Sequence, residues 1–122
     1  MSHILVIDDD EFFRDVVVQM LQQEGHKTTE ANDGAKAMAL LQRAQPDLII
    51  TDILMPHMDG VEFIMELAKQ SNNIPLIAIS GGRRSISSSF NLESAKLLGV
   101  KVTLAKPFNQ TALRAAIQEA LA

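Results

Sequence analysis

The sequence contains no cysteine, no tryptophan and no tyrosine, and five phenylalanines are its only large aromatic residues. The lack of cysteine excludes disulfide bonds and thiolate metal sites. Its purely apolar runs are far shorter than the ~20 residues that a membrane-spanning helix needs. The N-terminus has neither a basic start nor a long apolar stretch, which excludes a typical signal peptide. We therefore predict no membrane segment and a cytoplasmic location.

The sequence also has fewer basic than acidic residues. There are 11 Lys and Arg residues against 15 Asp and Glu, which gives a formal net charge of −4 and a pI of about 5.2. A surface that binds nucleic acid is usually basic, so we predict no nucleic-acid partner. The 122 residues, 47% of them apolar, fit one globular domain, and we expect residues 1–122 to form a single domain.

The chain alternates short apolar or β-branched segments with longer segments whose apolar residues recur at steps of three and four. This alternation predicts strands followed by helices. The predicted strands are 4–7, 27–30, 48–51, 76–79 and 100–104. The helical stripes cover 13–21, 37–41, 61–68 and 113–121. A further helix between the last two strands has weaker support, from Phe90, Leu97 and Leu98, and completes a set of five.

Five strands that alternate with helices predict an α/β fold with a parallel sheet covered on both faces. The first, third and fourth strands are continuously apolar, as expected for strands buried on both faces. The segment 27–30 is largely polar and 100–104 alternates, so these two are predicted to be the edges. With right-handed crossovers, this pattern favours the strand order 2-1-3-4-5.

Polar residues gather at the carboxyl ends of these strands, where open α/β sheets bind ligands. They are Asp8, Asp9 and Asp10 after the first strand, Asp52 after the third, Ser80 at the end of the fourth, and Lys106 after the fifth. Clustered carboxylates repel one another unless a cation compensates, and Mg²⁺ prefers carboxylate and phosphate oxygens. A carboxylate beside Mg²⁺ and a lysine can act as a nucleophile toward phosphorus. The sequence therefore predicts a Mg²⁺-dependent phosphoryl-transfer site.

Each of these residues, taken singly, has an ordinary structural explanation. An Asp at a strand end is usually a turn or cap residue, and Asp10 fits a cap of the first helix. The pair Gly81-Gly82 is a weak phosphate-loop signal without a GxxxxGK[ST] pattern. The convergence of complementary groups at one edge of the sheet favours the functional interpretation.

Four segments of the chain resemble the receiver domain of two-component response regulators, which has a flavodoxin-like doubly wound fold. The segments are 4–10, 52–60, 79–81 and 106–108. The second, Asp-Ile-Leu-Met-Pro-His-Met-Asp-Gly, is the most specific, and the resemblance extends from Ile4 to Leu121. The order 2-1-3-4-5 is also the known order of this family, so the two predictions are not independent.

The resemblance implies that Asp52 accepts a phosphoryl group from a phosphohistidine on a sensor histidine kinase or a histidine phosphotransfer protein. It implies that Mg²⁺ is held by Asp8, Asp9, Asp52 and the backbone carbonyl of Leu54. It further implies that Lys106 and Ser80 contact the phosphoryl oxygens, and that the Lys106–Pro107 peptide bond is cis. Such a protein is not an enzyme with an external substrate, because it catalyses only its own phosphorylation and dephosphorylation.

Two features depart from the family pattern. Thr103 stands three positions before the lysine, where the family often has an aromatic switch residue, and the loop that includes 81–89 is long. Because of these two features, the sequence does not identify the surface through which the domain passes on its signal. Because the sequence starts at the first strand and stops at the last helix, we expect a stand-alone receiver that signals by phosphorylation-dependent protein binding or onward phosphotransfer. The sequence does not name the downstream protein.

Three other functions remain as alternatives. The pattern Asp8-x-Asp10 after an apolar strand resembles small phosphohydrolases of the haloacid-dehalogenase type, but the chain lacks room for their further motifs and gives Asp52 no role. A pseudo-receiver that never carries phosphate would not need the complete site set. Flavin binding rests on topology alone, and no Trp or Tyr is available to stack on the ring.

Overall fold

A computed structural model describes residues 2–52, 60–70, 73–81 and 100–122. The strands are β1 (His3–Ile7), β2 (Lys27–Ala31), β3 (Leu48–Asp52), β4 (Leu76–Gly81) and β5 (Val102–Lys106). The helices in these ranges are α1 (Glu11–Gln23), α2 (Gly34–Leu41), α3 (Gly60–Lys69) and α4 (Gln110–Leu121). The helix predicted from Phe90, Leu97 and Leu98 lies outside the described residues, as do Leu54 and residues 82–89 of the predicted loop 81–89. Gly81 is not part of that loop, because it is the last residue of β4.

The five strands form one parallel sheet in the order β2-β1-β3-β4-β5. This confirms the predicted flavodoxin-like topology. Ile7 is the register partner of Ala31 on one side and of Thr51 on the other. The strand order therefore reverses at β1 and β3, and their carboxyl ends lie side by side.

Both faces of the sheet are covered, because alternate strand residues point to opposite sides. One face packs against α2 and α3 in a cluster that includes Leu5, Ile49 and Phe63. The other packs against α1 and α4 in a cluster that includes Ile50 and Leu113. This two-sided burial explains why the central strands are continuously apolar in the sequence.

The bounds of β5 differ from the prediction of 100–104, because the strand begins at Val102 and ends at Lys106. Val100 is buried in the cluster on the α2 and α3 face, but it precedes the strand. Its apolar character therefore reflects packing rather than strand pairing. The same two-residue correction makes Lys106 the last residue of β5 rather than a residue of the following loop.

Side-chain caps begin three of the helices at the carboxyl edge of the sheet. Asp10 Oδ1 accepts a hydrogen bond from the Phe13 amide, which caps α1 as predicted. Asp33 caps α2, and Asn109 caps α4. Such caps satisfy amide groups that have no partner within the helix. Among the described residues, no helix is long and apolar enough to cross a membrane.

Candidate functional site

The carboxylates of Asp8, Asp9 and Asp52 meet at the carboxyl edge of the sheet. One oxygen from each lies within 4.8 Å of the others. The side-by-side ends of β1 and β3 bring these residues together, since Asp8 follows β1 directly and Asp52 is the last residue of β3. Asp8 and Asp52 are each only 2% exposed. The structure thus confirms that these three predicted residues converge.

Lys106 joins this cluster from the end of β5. Its ammonium lies 2.9 Å from Asp8 Oδ2 and donates a hydrogen bond to Asp52 Oδ2 over 3.2 Å. β4 lies between β5 and β3 in the sheet, so the long lysine side chain spans the end of a strand to reach both carboxylates. The Lys106–Pro107 peptide bond is cis, as the resemblance implies.

Asp8 is held by its two oxygens in different ways. Oδ1 accepts a hydrogen bond from the Asp10 amide at 2.9 Å. Oδ2 forms the ion pair with Lys106, but it accepts no well-aligned hydrogen bond from the part of the chain that the structure describes. Burial, followed by the charge of Asp52, raises the pKa of Asp8 to about 6, and the Lys106 ammonium and the Asp10 amide only partly oppose this rise.

For Lys106, burial and the neighbouring carboxylates shift the pKa in opposite directions. Burial alone would lower the pKa of Lys106, but its close contacts with the Asp8 and Asp52 carboxylates and their charges outweigh burial, so the net pKa is raised. The lysine therefore stays protonated beside the carboxylates. One ammonium does not neutralise three carboxylates. The cluster therefore remains net negative, and a further cation would be bound favourably there.

The donor set at this edge fits a hard divalent cation. Carboxylate oxygens are the ligands that Mg²⁺ prefers, and an octahedral ion usually keeps several waters and takes one or two carboxylates. The buried Asp8 Oδ2, which lacks a well-aligned hydrogen bond among the described residues, is an acceptor that such an ion would satisfy. The other predicted ligand, the Leu54 carbonyl, lies outside the described residues. Ser80 lies in β4, as predicted.

Asp10 does not join the cluster. It is exposed and its carboxylate caps α1, so its structural explanation holds. A phosphohydrolase of the haloacid-dehalogenase type would need Asp10 as a partner of Asp8. Instead, Asp52 from a different strand occupies that place beside Asp8.

The structure also shows neighbours of the site that the sequence reasoning missed. The Lys106 ammonium lies 4.2 Å from the centroid of the Phe13 ring. Arg14 donates a hydrogen bond from Nη1 to the Asp8 carbonyl at 2.7 Å and pairs through Nε with Glu30 at 3.0 Å. Phe13 appeared in the sequence only as a member of an apolar stripe. Its place as the first stripe residue after a cap at the ligand edge was the one available signal.

Comparison with known proteins decides the family. Residues 4–118 match the response regulator receiver domain. The chain belongs to this family. Receiver domains are the phosphorylatable modules of two-component systems; phosphorylation occurs on an aspartate, and Mg²⁺ is typical.

Relatives of this receiver domain differ in length. The chain is 33% identical over 121 residues to the transcriptional regulatory protein CpxR of Klebsiella pneumoniae. This match covers 99% of the chain but only 50% of CpxR. It is 29% identical to the chemotaxis protein CheY of Halobacterium salinarum and covers 97% of that protein. The chain thus spans half or less of the first curated relatives that it matches, and nearly all of others.

Solved structures agree with the fold of the receiver domain. The receiver domain of NtrX from Brucella abortus superposes with a TM-score of 0.89 at 32% identity, over 97% of both chains. The chemotaxis response regulator CheY4 of Vibrio cholerae gives a TM-score of 0.86 at 32% identity, over 99% of both chains.

Proposed function

We propose that Asp52 of this receiver domain accepts a phosphoryl group from a phosphohistidine on a sensor histidine kinase or a histidine phosphotransfer protein. One observation carries the proposal: the buried Asp52 carboxylate shares a single site with Asp8, Asp9 and the Lys106 ammonium. In the reaction, a carboxylate oxygen of Asp52 bonds to phosphorus. The phosphorus–nitrogen bond breaks, and its electron pair returns to the imidazole.

The surrounding residues have distinct roles in this proposal. Mg²⁺ would be held by Asp9 and Asp52, by Asp8 partly through water, and by the carbonyl of Leu54. When bound, it would supply positive charge against the phosphoryl oxygens. Lys106 neutralises charge on the same group, and the Ser80 hydroxyl donates a hydrogen bond to one of its oxygens.

The same site explains why we propose no turnover of an external substrate. With Asp10 committed to capping α1, the arrangement supports catalysis of the domain's own phosphorylation and dephosphorylation.

We propose that residues 1–122 act as a stand-alone receiver. The matches to CheY over 97% of its length and to the sporulation initiation phosphotransferase F of Bacillus subtilis over 92% of its length support this form. Its output is then phosphorylation-dependent binding to another protein, or onward phosphotransfer. The net charge of −4 argues against direct contact with nucleic acid. We propose a cytoplasmic location, which is typical of receiver domains.

Labelling with a small phosphodonor tests the proposal. The protein is incubated with acetyl phosphate, with Mg²⁺ or with chelator, and bound phosphoryl groups are counted by intact mass. We expect one phosphoryl group with Mg²⁺, little without it, and none in Asp52→Asn. Asp10→Asn is the matched control, because Asn removes a charge at the same edge yet remains a good helix cap. Full labelling of Asp52→Asn would refute the assignment.

A further inference from the structure

The Lys106 ammonium contacts a ring face as well as two carboxylates. Its Nζ is 2.9 Å from Asp8 Oδ2, 3.2 Å from Asp52 Oδ2 and 4.2 Å from the centroid of the Phe13 ring. The Lys106 side chain is 16% exposed. The ring therefore contacts a largely buried ammonium at the point where that ammonium reaches the proposed phosphoacceptor.

Two separate elements fix the position of the Phe13 ring. The Phe13 amide donates to the Asp10 carboxylate over 3.1 Å, which ties the residue to the first turn of α1. The ring also meets the edge of Phe108, with centroids 5.4 Å apart and planes at 90°. Phe108 follows β5 and packs, like Phe13, against the apolar cluster on the α1 and α4 face. The start of α1 and the Phe108 ring together therefore fix the position of the Phe13 ring.

An aromatic face is suited to holding an ammonium without competing for it. The ring quadrupole attracts a cation electrostatically, but the face offers no oxygen that would replace a carboxylate or phosphoryl oxygen. A lysine side chain has a flexible four-carbon stem. A ring beside its end reduces the number of positions that the ammonium occupies and leaves its hydrogens directed at the oxygens of Asp8 and Asp52.

We propose that Phe13 is a positioning residue for Lys106: its ring face holds the ammonium between Asp8 and Asp52, ready to meet the phosphoryl group. Phe13 acts through Lys106 and is not itself a catalytic residue. The inference rests on the proposed function, in which Asp52 is phosphorylated and Lys106 neutralises the transferred group.

Three variants separate positioning from packing. Phe13→Leu keeps an apolar side chain but removes the ring face, whereas Phe13→Tyr keeps the face. Phe12→Leu is the control, because Phe12 is the adjacent residue and is 80% exposed. We measure the initial rate of Asp52 phosphorylation by acetyl phosphate in saturating Mg²⁺. Phe13→Leu should slow it by about two- to tenfold, the range expected for a partly buried cation–π contact. Phe13→Tyr and Phe12→Leu should remain near the wild-type rate.

An NMR signature distinguishes a positioning role from a merely structural one. In the wild type, the ring current of Phe13 should shift the Lys106 Cε protons upfield. The shift should vanish in Phe13→Leu and persist in Phe13→Tyr. Wild-type labelling of Phe13→Leu, or slowed labelling with the shift retained, would overturn the inference while Asp52 phosphorylation stands. A wild type that is not labelled on Asp52 would instead overturn the proposed function, and the shift would still show whether the ring holds the ammonium.

Discussion

The Lys106 ammonium lies 2.9 Å from the Asp8 carboxylate, although β3 and β4 separate their strands in the sheet. The contact forms only when the whole sheet is assembled, since Asp8 follows the first strand and Lys106 ends the last. The charged site therefore exists in the folded protein and not in the unfolded chain. Anything that binds this site should stabilise the fold.

Mg²⁺ should raise the melting temperature of the protein. A ligand that binds only the folded state stabilises it by RT ln(1 + [L]/Kd), about 2.7 kcal/mol at a hundred times Kd. Thermal unfolding with increasing Mg²⁺, monitored by circular dichroism, measures the effect. No shift at millimolar Mg²⁺ would contradict a divalent site at Asp8, Asp9 and Asp52.

Asp52→Asn should be more stable than the wild type when Mg²⁺ is removed by a chelator. Three clustered carboxylates face one ammonium, and the substitution removes one of the repelling charges. The variant should also gain less from Mg²⁺. Asp10→Asn is the control for loss of a charge at this edge of the sheet. A lower melting temperature for Asp52→Asn in chelator would show that its pairing with Lys106 outweighs the repulsion.

Asp8 should make the metal-free protein lose stability as the pH rises. Its pKa is about 6 in the folded protein, against 3.8 without the fold. Between these values the folded state holds a proton that the unfolded state has released, so its stability falls as pH increases through this window. Urea unfolding of the wild type and Asp8→Asn in chelator isolates the effect. The stability difference between the two proteins should change across pH 4 to 6, and a constant difference would be evidence against a raised pKa.

Arg14 should contribute to stability through the Asp8 backbone. Its side chain is 14% exposed and it donates to the Asp8 carbonyl at 2.7 Å. Hydrogen bonds from charged groups are worth about 1.5–3 kcal/mol, so Arg14→Met should lower the free energy of unfolding by about that amount. Arg43→Met, at an exposed position, should change it by less than about 0.5 kcal/mol. Equal effects of the two variants in urea unfolding would refute this role.

Glu24 should stabilise the contact between α1 and α4 above its own pKa. Hydrogen bonds from Arg114, and then Gln110, lower the pKa of Glu24 below 4.5. The stabilisation is therefore present above pH 4.5 and is lost as the pH falls through the lowered pKa. Glu24→Gln should lower the melting temperature slightly at neutral pH and less in acid. Glu119→Gln, on the exposed side of α4, should not show this pH dependence.

The sheet could be predicted from the sequence because burial leaves a direct pattern in the strands. Strands covered on both faces, such as Leu48–Asp52, begin with a continuous apolar run, and the polar Lys27–Ala31 lies at an edge. The bounds of β5 could not be predicted in the same way. Val100 is buried by packing without belonging to the strand, and hydrophobicity alone does not separate these two cases.

The site was predictable only in part. Strand ends identified Asp8, Asp9 and Asp52 together with Asp10, and the helix geometry confirms that Asp10 is the cap predicted from its position. Phe13 was missed because an apolar stripe shows which helix face is buried, not which of its residues meets the ligand edge.

The central claim is that phosphorylation occurs on Asp52, and the most direct measurement is identification of the phosphorylated residue in the wild-type protein. After labelling with acetyl phosphate and Mg²⁺, borohydride reduces an aspartyl phosphate to homoserine, which peptide mass spectrometry locates. The account predicts homoserine at position 52 and unmodified Asp at 8, 9 and 10. Homoserine at one of those three positions, with Asp52 unchanged, would contradict it.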